Sequence, residues 1–154
     1  MKINGIDKLE REEIRKKIFK EGNFDFFIYR GFPCFIIRPA AMRGNFNDNV
    51  HFIHLCGYVG VPKGHKLYKK HYASSDFPDF NVHGGVTYTG FLFSTKDYWF
   101  IGFDCAHLED MAHLSSPSFY PYCLRGNDWG DTYRDMEYVR KELKKLVRQI
   151  EKVK

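Results

Sequence analysis

Residues that can move protons or bind metal ions are concentrated in one short segment, residues 102–110. Asp104, His107 and Asp110 recur there at intervals of three, which places them on one side if the segment begins with a helical turn. A carboxylate beside an imidazole can transfer protons, and the same oxygen and nitrogen atoms can hold a divalent metal ion. We therefore predict Asp104 and His107 as catalytic residues and all three as metal ligands. In the alternative interpretation, Asp104 caps a short turn and His107 is hydrogen-bonded within a loop.

A histidine and two glycines, His83, Gly84 and Gly85, immediately precede a predicted hairpin whose second strand ends at Asp104. Because the strands of a hairpin are antiparallel, the start of the first lies beside the end of the second. We therefore expect His83 to approach Asp104 and His107 as a third catalytic residue. The two glycines would let a bound group come close, and their amides could hold an anion. A plain turn that uses glycine for its positive φ is the alternative.

A second glycine-rich stretch, residues 57–65, could surround a phosphate group. Gly60 would supply a backbone amide, and Lys63 and His65 would supply cationic side chains. The spacing of the glycines matches neither the P-loop nor the dinucleotide-binding motif, so the pattern is weak by itself. We predict these three residues as phosphate-binding.

Aromatic residues close to these segments could stack on a nucleobase. Tyr58 and Tyr88, with Trp99 or Trp129, are the candidates. Arg134, at the predicted start of the last helix, could reach a ligand or an acidic residue of the preceding loop. An ordinary surface ion pair is the alternative for Arg134.

The cysteines give little sign of metal or nucleophilic chemistry. They lie far apart and form no C-x-x-C pair, which argues against a zinc ribbon and a thioredoxin-like motif. In a reducing cytosol we interpret them as small buried hydrophobic residues, and their even number leaves two disulfides as the alternative. Cys105 close to His107 is a weak hint of a thiolate pair, and no G-x-S-x-G motif is present. The four cysteines are Cys34, Cys56, Cys105 and Cys123.

Length and composition favour one domain, residues 1–154, built around a sheet. Of the residues, 44% are hydrophobic and 18% aromatic, which suits broad β surfaces. No apolar run reaches the roughly 20 residues that cross a bilayer, and the first residues lack a signal-peptide core, so we expect a cytoplasmic protein that does not span a membrane. The net charge of +5 resides at the two ends of the chain, where Lys and Arg alternate with Glu. We therefore do not expect nucleic-acid binding, whereas a homo-oligomer is compatible with the sequence.

Hydrophobic periodicity and turn residues predict an α+β fold. An N-terminal helix, with Asp7 and Glu10 as a capping box, ends at Gly22. A long C-terminal helix of about six turns is capped by Asp131 or Thr132. Between the helices, hairpins build an antiparallel sheet with two long loops. The predicted strands are 26–29 and 34–38, which form a short and largely buried hairpin, then 51–61, then the hairpin 86–93 with 98–104, and the long loops cover 62–83 and 105–131.

Four segments in combination resemble a family of small proteins encoded by phages and prophages, most of them without an assigned activity. The segments are HLCGYVG at 54–60, VHGGVTY at 82–88, GFDCAHLED at 102–110 and YRD at 133–135. The resemblance implies a phage accessory protein in the bacterial cytoplasm. By analogy with other phage accessory domains, it also implies an action against host defence, for example by sequestering a nucleotide signal.

These observations support three functional hypotheses. The first is a phage-type accessory protein that binds a small phosphate-bearing, nucleotide-like ligand in a pocket between the two long loops. The second is a hydrolase in which the histidines and aspartates act as acid and base or hold a divalent metal ion as cofactor. The third is a protein-interaction module that inhibits a host factor through its aromatic surface.

Overall fold

The computed structural model describes residues 2–3, 6–39, 50–115 and 132–154. A five-stranded antiparallel sheet has the C-terminal helix packed across one face, so the predicted α+β class is confirmed. The strand order in this sheet is β3-β4-β6-β8-β7, and β1 with β2 and β5 with β9 form two separate two-stranded ladders. In chain order the elements are β1 (Lys2–Ile3), β2 (Ile6–Asp7), α1 (Lys8–Glu21), β3 (Phe24–Tyr29), β4 (Phe32–Ile37), β5 (Val50–Phe52), β6 (Cys56–Pro62), β7 (Tyr88–Gly90), β8 (Tyr98–Asp104), β9 (His113–Ser115) and α2 (Met136–Ile150).

Helix α1 ends where the sequence predicts. Gly22, the first residue after it, has a φ of +78°, and its amide donates to the carbonyl of Ile18 at 3.0 Å. This left-handed termination favours glycine. Ile14 and Ile18 pack against a small core that contains Ile53 and Met111. Helix α1 therefore lies beside the ends of β5 and β9.

Alternation along the central strands directs one row of side chains against α2. Val59 on β6 and Ile101 on β8 are fully buried, as is Leu143 of the helix. A Cβ at Gly57 would come within 2.8 Å of the Phe103 ring and 3.1 Å of Leu143. Glycine at this position therefore lets α2 approach the sheet closely.

The hairpin of β7 and β8 forms as predicted, although its first strand is shorter. Tyr88 pairs with Gly102, and the Thr87 amide donates to the Gly102 carbonyl at 2.9 Å. Asp104 is the last residue of β8 and pairs with Cys56 of β6. The chain before Thr87 therefore passes the end of β8.

The single strand predicted at residues 51–61 is in fact two strands. The break falls at residues 53–55, and β5 pairs with β9 instead of the large sheet. Ile53 packs in the small core beside α1, whereas Leu55 packs in the main core. One straight strand cannot reach both cores, so the chain bends between them. Strand β9 lies within the predicted loop 105–131.

The cap predicted for the last helix is also wrong. Helix α2 has 15 residues and begins after Asp135, whose carboxylate accepts from the Tyr138 amide at 2.8 Å. Thr132 lies upstream in an isolated bridge with Asp110, and Asp131 lies outside the described residues. The N-cap is therefore Asp135, the acidic residue next to the first helical turn.

The first hairpin forms, but it is not largely buried. Phe24, Phe26 and Ile28 of β3 are 50%, 47% and 66% exposed. They lie on the face of an edge strand that points away from α2, and no described element covers that face.

In the part of the chain that the structure describes, the cysteines are buried in the protein interior. Cys34, Cys56 and Cys105 are buried thiols outside any disulfide, as predicted for small hydrophobic residues. Cys123 lies outside the described residues. Neither α1 nor α2 offers an apolar stretch long enough to traverse a bilayer.

A buried arginine links the end of α1 to the chain that enters α2. Arg38 is 3% exposed and donates to the Gly22 carbonyl at 2.9 Å and to the Tyr133 hydroxyl at 3.0 Å. Glu21 Oε1 lies 3.4 Å from Arg38 Nη2, and Glu21 Oε2 accepts from the Met136 amide at 3.1 Å. Because a buried cation is stable only when it is paired and hydrogen-bonded, this cluster fixes where α2 begins.

We predict that Arg38→Met lowers the free energy of unfolding by about 3 kcal/mol, since it leaves Glu21 without its buried cation. Urea denaturation of wild type and variant measures this. The exposed Lys141→Met is the matched control, and its ion pair with Glu137 predicts a loss below about 1 kcal/mol. Equal losses in the two variants would show that the Arg38 cluster does not anchor α2.

Candidate functional site

The turn at residues 82–85 places a histidine at the end of β8. The amide of Gly85 donates to the carbonyl of Val82 at 2.9 Å. The ring of His83 then lies 5.6 Å from the ring of His107, measured between centroids. The structure therefore brings together the two histidines that the hairpin predicts to be neighbours.

A second turn carries the acidic residues. The Asp104 carboxylate accepts from the Ala106 amide at 3.1 Å, which is the turn-capping role considered as the alternative. The Asp110 amide then donates to the His107 carbonyl at 2.9 Å. A parallel bridge between Asp110 and Thr132 brings the segment before α2 to the same place.

Asp110 is the centre of the site. Its side chain is 1% exposed, and Oδ2 accepts from His83 Nε2 at 2.7 Å and from the His107 amide at 3.0 Å. Its Oδ1 accepts from Arg134 Nε at 2.9 Å. Arg134 therefore reaches an acidic residue of the preceding loop, one of the two roles predicted for it. We call His83, Asp104, His107, Asp110, Arg134 and Tyr138 the His83 cluster.

The electrostatic surroundings keep Asp110 ionised. Burial acts to raise the pKa of its carboxyl group, but the hydrogen bonds from His83, the His107 amide and Arg134 act in the opposite direction and outweigh it. The pKa therefore lies below its ordinary value of 3.8. Since an ionised carboxylate only accepts hydrogen bonds, Nε2 of His83 must carry the hydrogen in this contact.

The other ring nitrogen of His83 contacts a tyrosine of α2. Nδ1 lies 2.7 Å from the Tyr138 hydroxyl, and in the neutral ring it accepts the phenolic hydrogen. Burial, followed by the charge of Glu142, raises the pKa of the Tyr138 phenol, which keeps it protonated at neutral pH. The guanidinium carbon of Arg134 lies 4.9 Å from the centre of the Tyr138 ring. Asp110, His83 and Tyr138 thus form a continuous chain of hydrogen bonds.

Glu142 fixes the turn that carries His83. Its Oε2 accepts from the His83 amide at 2.9 Å and lies 2.9 Å from Lys145 Nζ. The position of the imidazole is therefore set from both its side chain and its backbone.

Asp104 and His107 form a second, more exposed pair. Asp104 Oδ1 lies 3.5 Å from His107 Nε2, and the side chains are 29% and 36% exposed. The Thr87 hydroxyl donates to Asp104 Oδ2 at 2.7 Å. No described residue forms a hydrogen bond with His107 Nε2. Because Nε2 is itself a buried atom, proton exchange with a bound group would have to use the other ring nitrogen, Nδ1.

Gly84 supplies the space for the His107 ring. It has a φ of +65°, and a Cβ there would lie 1.9 Å from His107 Nε2. Gly85 also has a positive φ, +79°, but faces open space. The turn thus uses glycine for its backbone conformation, and at Gly84 the group that comes close is an imidazole of this chain.

The residues predicted to bind phosphate in the stretch 57–65 serve other contacts. Gly60 is buried in β6, where a Cβ would lie 2.9 Å from Pro33 and 3.0 Å from Phe100. Lys63 Nζ forms a surface ion pair with Asp97 Oδ1 at 3.2 Å. Close packing and a surface contact account for these two residues.

His65 lies at the opposite end of α2 from the His83 cluster. Its Nδ1 accepts from the Leu67 amide at 3.1 Å. Burial lowers the pKa of its imidazole, against the opposing effect of a hydrogen bond to the Ile150 backbone. Ile150 ends α2 and Tyr138 lies in its first turn, so about 18 Å of helix separates the two regions. The structure does not bring Gly60, Lys63 and His65 into one pocket with Gly84 and Gly85.

The candidate stacking residues contact one another or the backbone. Tyr58 and Tyr88 meet edge to face at 5.4 Å, and the Tyr88 hydroxyl donates to the Phe91 carbonyl at 3.0 Å. Trp99 Nε1 donates to the Lys70 carbonyl at 2.9 Å. Trp129 lies outside the described residues.

The predicted metal site is not assembled. Among the described residues, no three His, Cys, Asp or Glu side chains are arranged so that they could hold a metal ion. Asp110 directs both carboxylate oxygens to His83, Arg134 and a backbone amide. The carboxylate that would complete the trio with Asp104 and His107 is therefore already committed to protein donors.

The thiol chemistry considered for Cys105 is disfavoured. The residue is 1% exposed, and burial raises the pKa of its thiol. The thiol therefore stays protonated at neutral pH.

Sequence reasoning missed Tyr138 and Glu142. Both lie on α2, four residues apart, and Tyr138 is the fourth residue after Arg134. Residues four apart share a helix face, so this spacing was a usable signal. The missing information was which face of α2 meets the turn at residues 82–85.

We predict that Asp110→Asn lowers the free energy of unfolding by about 3 kcal/mol at neutral pH, since it leaves Arg134 without its buried anion. A lowered folded pKa contributes stability above 3.8 that is lost as the pH falls through the folded value. The difference between wild type and variant should therefore shrink below pH 3.8. Urea denaturation across this range tests the prediction, with the exposed Asp97→Asn as control. A difference that stays constant with pH would contradict it.

No protein-family model, no curated protein and no solved structure matches this chain. The resemblance to small phage and prophage proteins therefore stays a prediction, and any function has to be argued from the His83 cluster itself.

Proposed function

We propose that the protein is a phage-type accessory hydrolase that acts on a small phosphate-bearing, nucleotide-like substrate at the His83 cluster. The observation that carries this proposal is the hydrogen-bond chain from Asp110 through His83 to Tyr138, with both contacts at 2.7 Å. A buried carboxylate that orients an imidazole against a hydroxyl is an arrangement that moves protons efficiently.

The base in this proposal is His83, acting through Tyr138. A water molecule attacks the phosphorus atom and gives its proton to the Tyr138 oxygen, while the phenolic proton passes to His83 Nδ1. The ionised Asp110 stabilises the imidazolium that forms. The ring cannot turn away, since Asp110 holds Nε2 and Glu142 holds the backbone amide.

The acid in this proposal is His107. Its imidazolium gives a proton to the leaving oxygen as the bond from phosphorus to that oxygen breaks. Asp104, 3.5 Å from Nε2, stabilises the protonated ring and leaves Nδ1 for the leaving group. The proton received by His83 and the proton given by His107 balance, and water is the sole co-reactant.

A phosphate-bearing substrate suits the charges around this site. In the proposed reaction the Arg134 guanidinium and the His107 imidazolium are the cations of the cluster, and positive groups next to a phosphoryl centre stabilise the charge that develops on its oxygens. Hydrolysis of a nucleotide signal would have the same effect on host defence as the sequestration implied by the family resemblance.

A second candidate function is binding without turnover. Both ring nitrogens of His83 are already hydrogen-bonded to protein groups, which favours a fixed structural role for this imidazole. A ligand would then contact His107 and Arg134 and would be released unchanged. In this reading the cluster is a rigid anion site.

The test is incubation of the purified protein with a mixture of nucleoside mono-, di- and triphosphates and cyclic dinucleotides, followed by mass spectrometry. If the protein is a hydrolase, one nucleotide of the mixture should disappear. The summed mass of its products should exceed the mass of that nucleotide by the mass of one water molecule. Tyr138→Phe and His107→Gln should each lower turnover by roughly a hundredfold or more. Tyr68→Phe is the matched control, because its hydroxyl bonds to the Lys96 carbonyl far from the cluster.

The outcomes separate the two functions. A nucleotide that binds saturably and is recovered unchanged supports binding without turnover and contradicts hydrolysis. Turnover that survives Tyr138→Phe contradicts the proton path through this residue. Indifference to every nucleotide in the mixture contradicts both functions.

A further inference from the structure

Strand β3 is an edge of the large sheet with outward-facing backbone groups. The Arg38 amide donates to the Asn23 carbonyl at 2.8 Å, so residue pairs between β3 and β4 alternate from this bonded pair onward. It follows that Phe24, Phe26 and Ile28 direct their amides and carbonyls away from β4. No other described strand pairs with this edge.

The same three residues present an apolar row on one face of the edge. Their side chains are about half exposed or more, and the row continues inward across the sheet. The Phe26 ring lies 4.8 Å from the Phe35 ring, which lies 4.7 Å from the Phe93 ring. A long, exposed and apolar edge strand is unusual in a monomeric protein that has no binding partner.

The other face of the edge carries a basic row from α2. Arg140, Lys144 and Arg148 are spaced four residues apart, and they lean over the side chains of β3. The Arg140 guanidinium lies 5.3 Å from the Phe27 ring, and Lys144 Nζ lies 5.4 Å from the Tyr29 ring. Arg148 donates to the Tyr29 hydroxyl at 3.1 Å. We call these three cations the α2 basic row.

Two members of the α2 basic row lack a carboxylate partner among the described residues. Arg140 is paired with Asp25 of β3, whereas the recorded contacts of Lys144 and Arg148 are to the tyrosine. The neighbouring acids Glu137, Glu142 and Glu151 pair with Lys141, Lys145 and Arg30.

The contact between Asp25 and Arg140 shows how an acidic side chain fits here. The Asp25 carboxylate meets the guanidinium, and it also accepts from the Phe26 amide at 2.9 Å. One carboxylate thus joins an outward-facing amide of β3 to the α2 basic row. Acidic side chains on an added strand would find the same arrangement beside Lys144 and Arg148.

We propose that β3 and the α2 basic row form a docking site for an extended peptide of a partner protein in which acidic and apolar residues alternate. The peptide pairs with the edge of β3 as a sixth strand, so its side chains point alternately to the two faces. Its acidic residues meet Lys144 and Arg148, and its apolar residues cover Phe24, Phe26 and Ile28. This site lies apart from the His83 cluster and does not depend on hydrolysis.

The probe is a fluorescein-labelled peptide of about eight residues, a typical strand length, in which Glu and Val alternate. We expect saturable binding by fluorescence anisotropy, with protection from hydrogen exchange at the Phe24 and Ile28 amides. The double variant Lys144→Glu with Arg148→Glu should bind roughly tenfold more weakly. A second variant, Ile28→Pro, removes an outward-facing amide without removing a hydrogen bond to β4, and it should also weaken peptide binding and abolish the protection of the Phe24 amide.

Controls separate this mode from general charge attraction. Lys141→Glu with Lys145→Glu makes the same charge change on α2 away from the tyrosine of β3 and should leave the affinity within about twofold of wild type. A peptide in which Lys replaces Glu, and one with its glutamates and valines in two blocks, should not bind.

Three results would overturn the proposal. The first is equal loss of affinity in the two double variants. The second is that the peptide with its glutamates and valines in two blocks, or the peptide with Lys in place of Glu, binds as tightly as the alternating peptide. The third is concentration-dependent dimerisation through β3 without peptide, because the edge would then be occupied by a second copy of this chain.

Discussion

The buried carboxylate of Asp110 is the interaction on which the candidate site depends. It accepts hydrogen bonds from a side chain before β7, from a backbone amide after β8 and from the arginine that precedes α2. A buried anion without these donors would be very costly, and the donors would in turn be left unpaired without the anion. The three segments are therefore held together or lost together.

The same carboxylate determines which chemistry is available. Because it is ionised and only accepts, it fixes the hydrogen on His83 Nε2 and leaves Nδ1 as the acceptor for Tyr138. The Arg38 cluster contributes from a distance, since it sets where the chain enters α2. The candidate site lies at the start of this helix and the docking edge runs along its flank, so the rigid packing of α2 on the sheet positions both.

Hydrophobic period and turn residues were sufficient to predict the two helices, the hairpins and the approach of His83 to His107, because a hairpin brings its own ends together. They could not predict contacts made through other segments. Asp110 was predicted as a metal ligand with Asp104 and His107. The sequence does not show that the fold brings His83 and Arg134 within hydrogen-bond distance of its carboxylate. The stretch around Gly60 resembled a phosphate loop, yet its glycine makes room for a proline and a phenylalanine ring. The break after Phe52 was missed because alternation does not reveal that successive apolar residues enter different cores.

The most direct test of the central claim is a long-range nitrogen–proton NMR spectrum of the histidine side chains at neutral pH. The account predicts that His83 carries its hydrogen on Nε2, that this hydrogen exchanges slowly with water, and that Nδ1 has the shift of a hydrogen-bonded acceptor. A hydrogen on Nδ1 with none on Nε2, or an Nε2 hydrogen that exchanges as fast as that of the exposed His71, would show that Asp110 does not set the state of this ring.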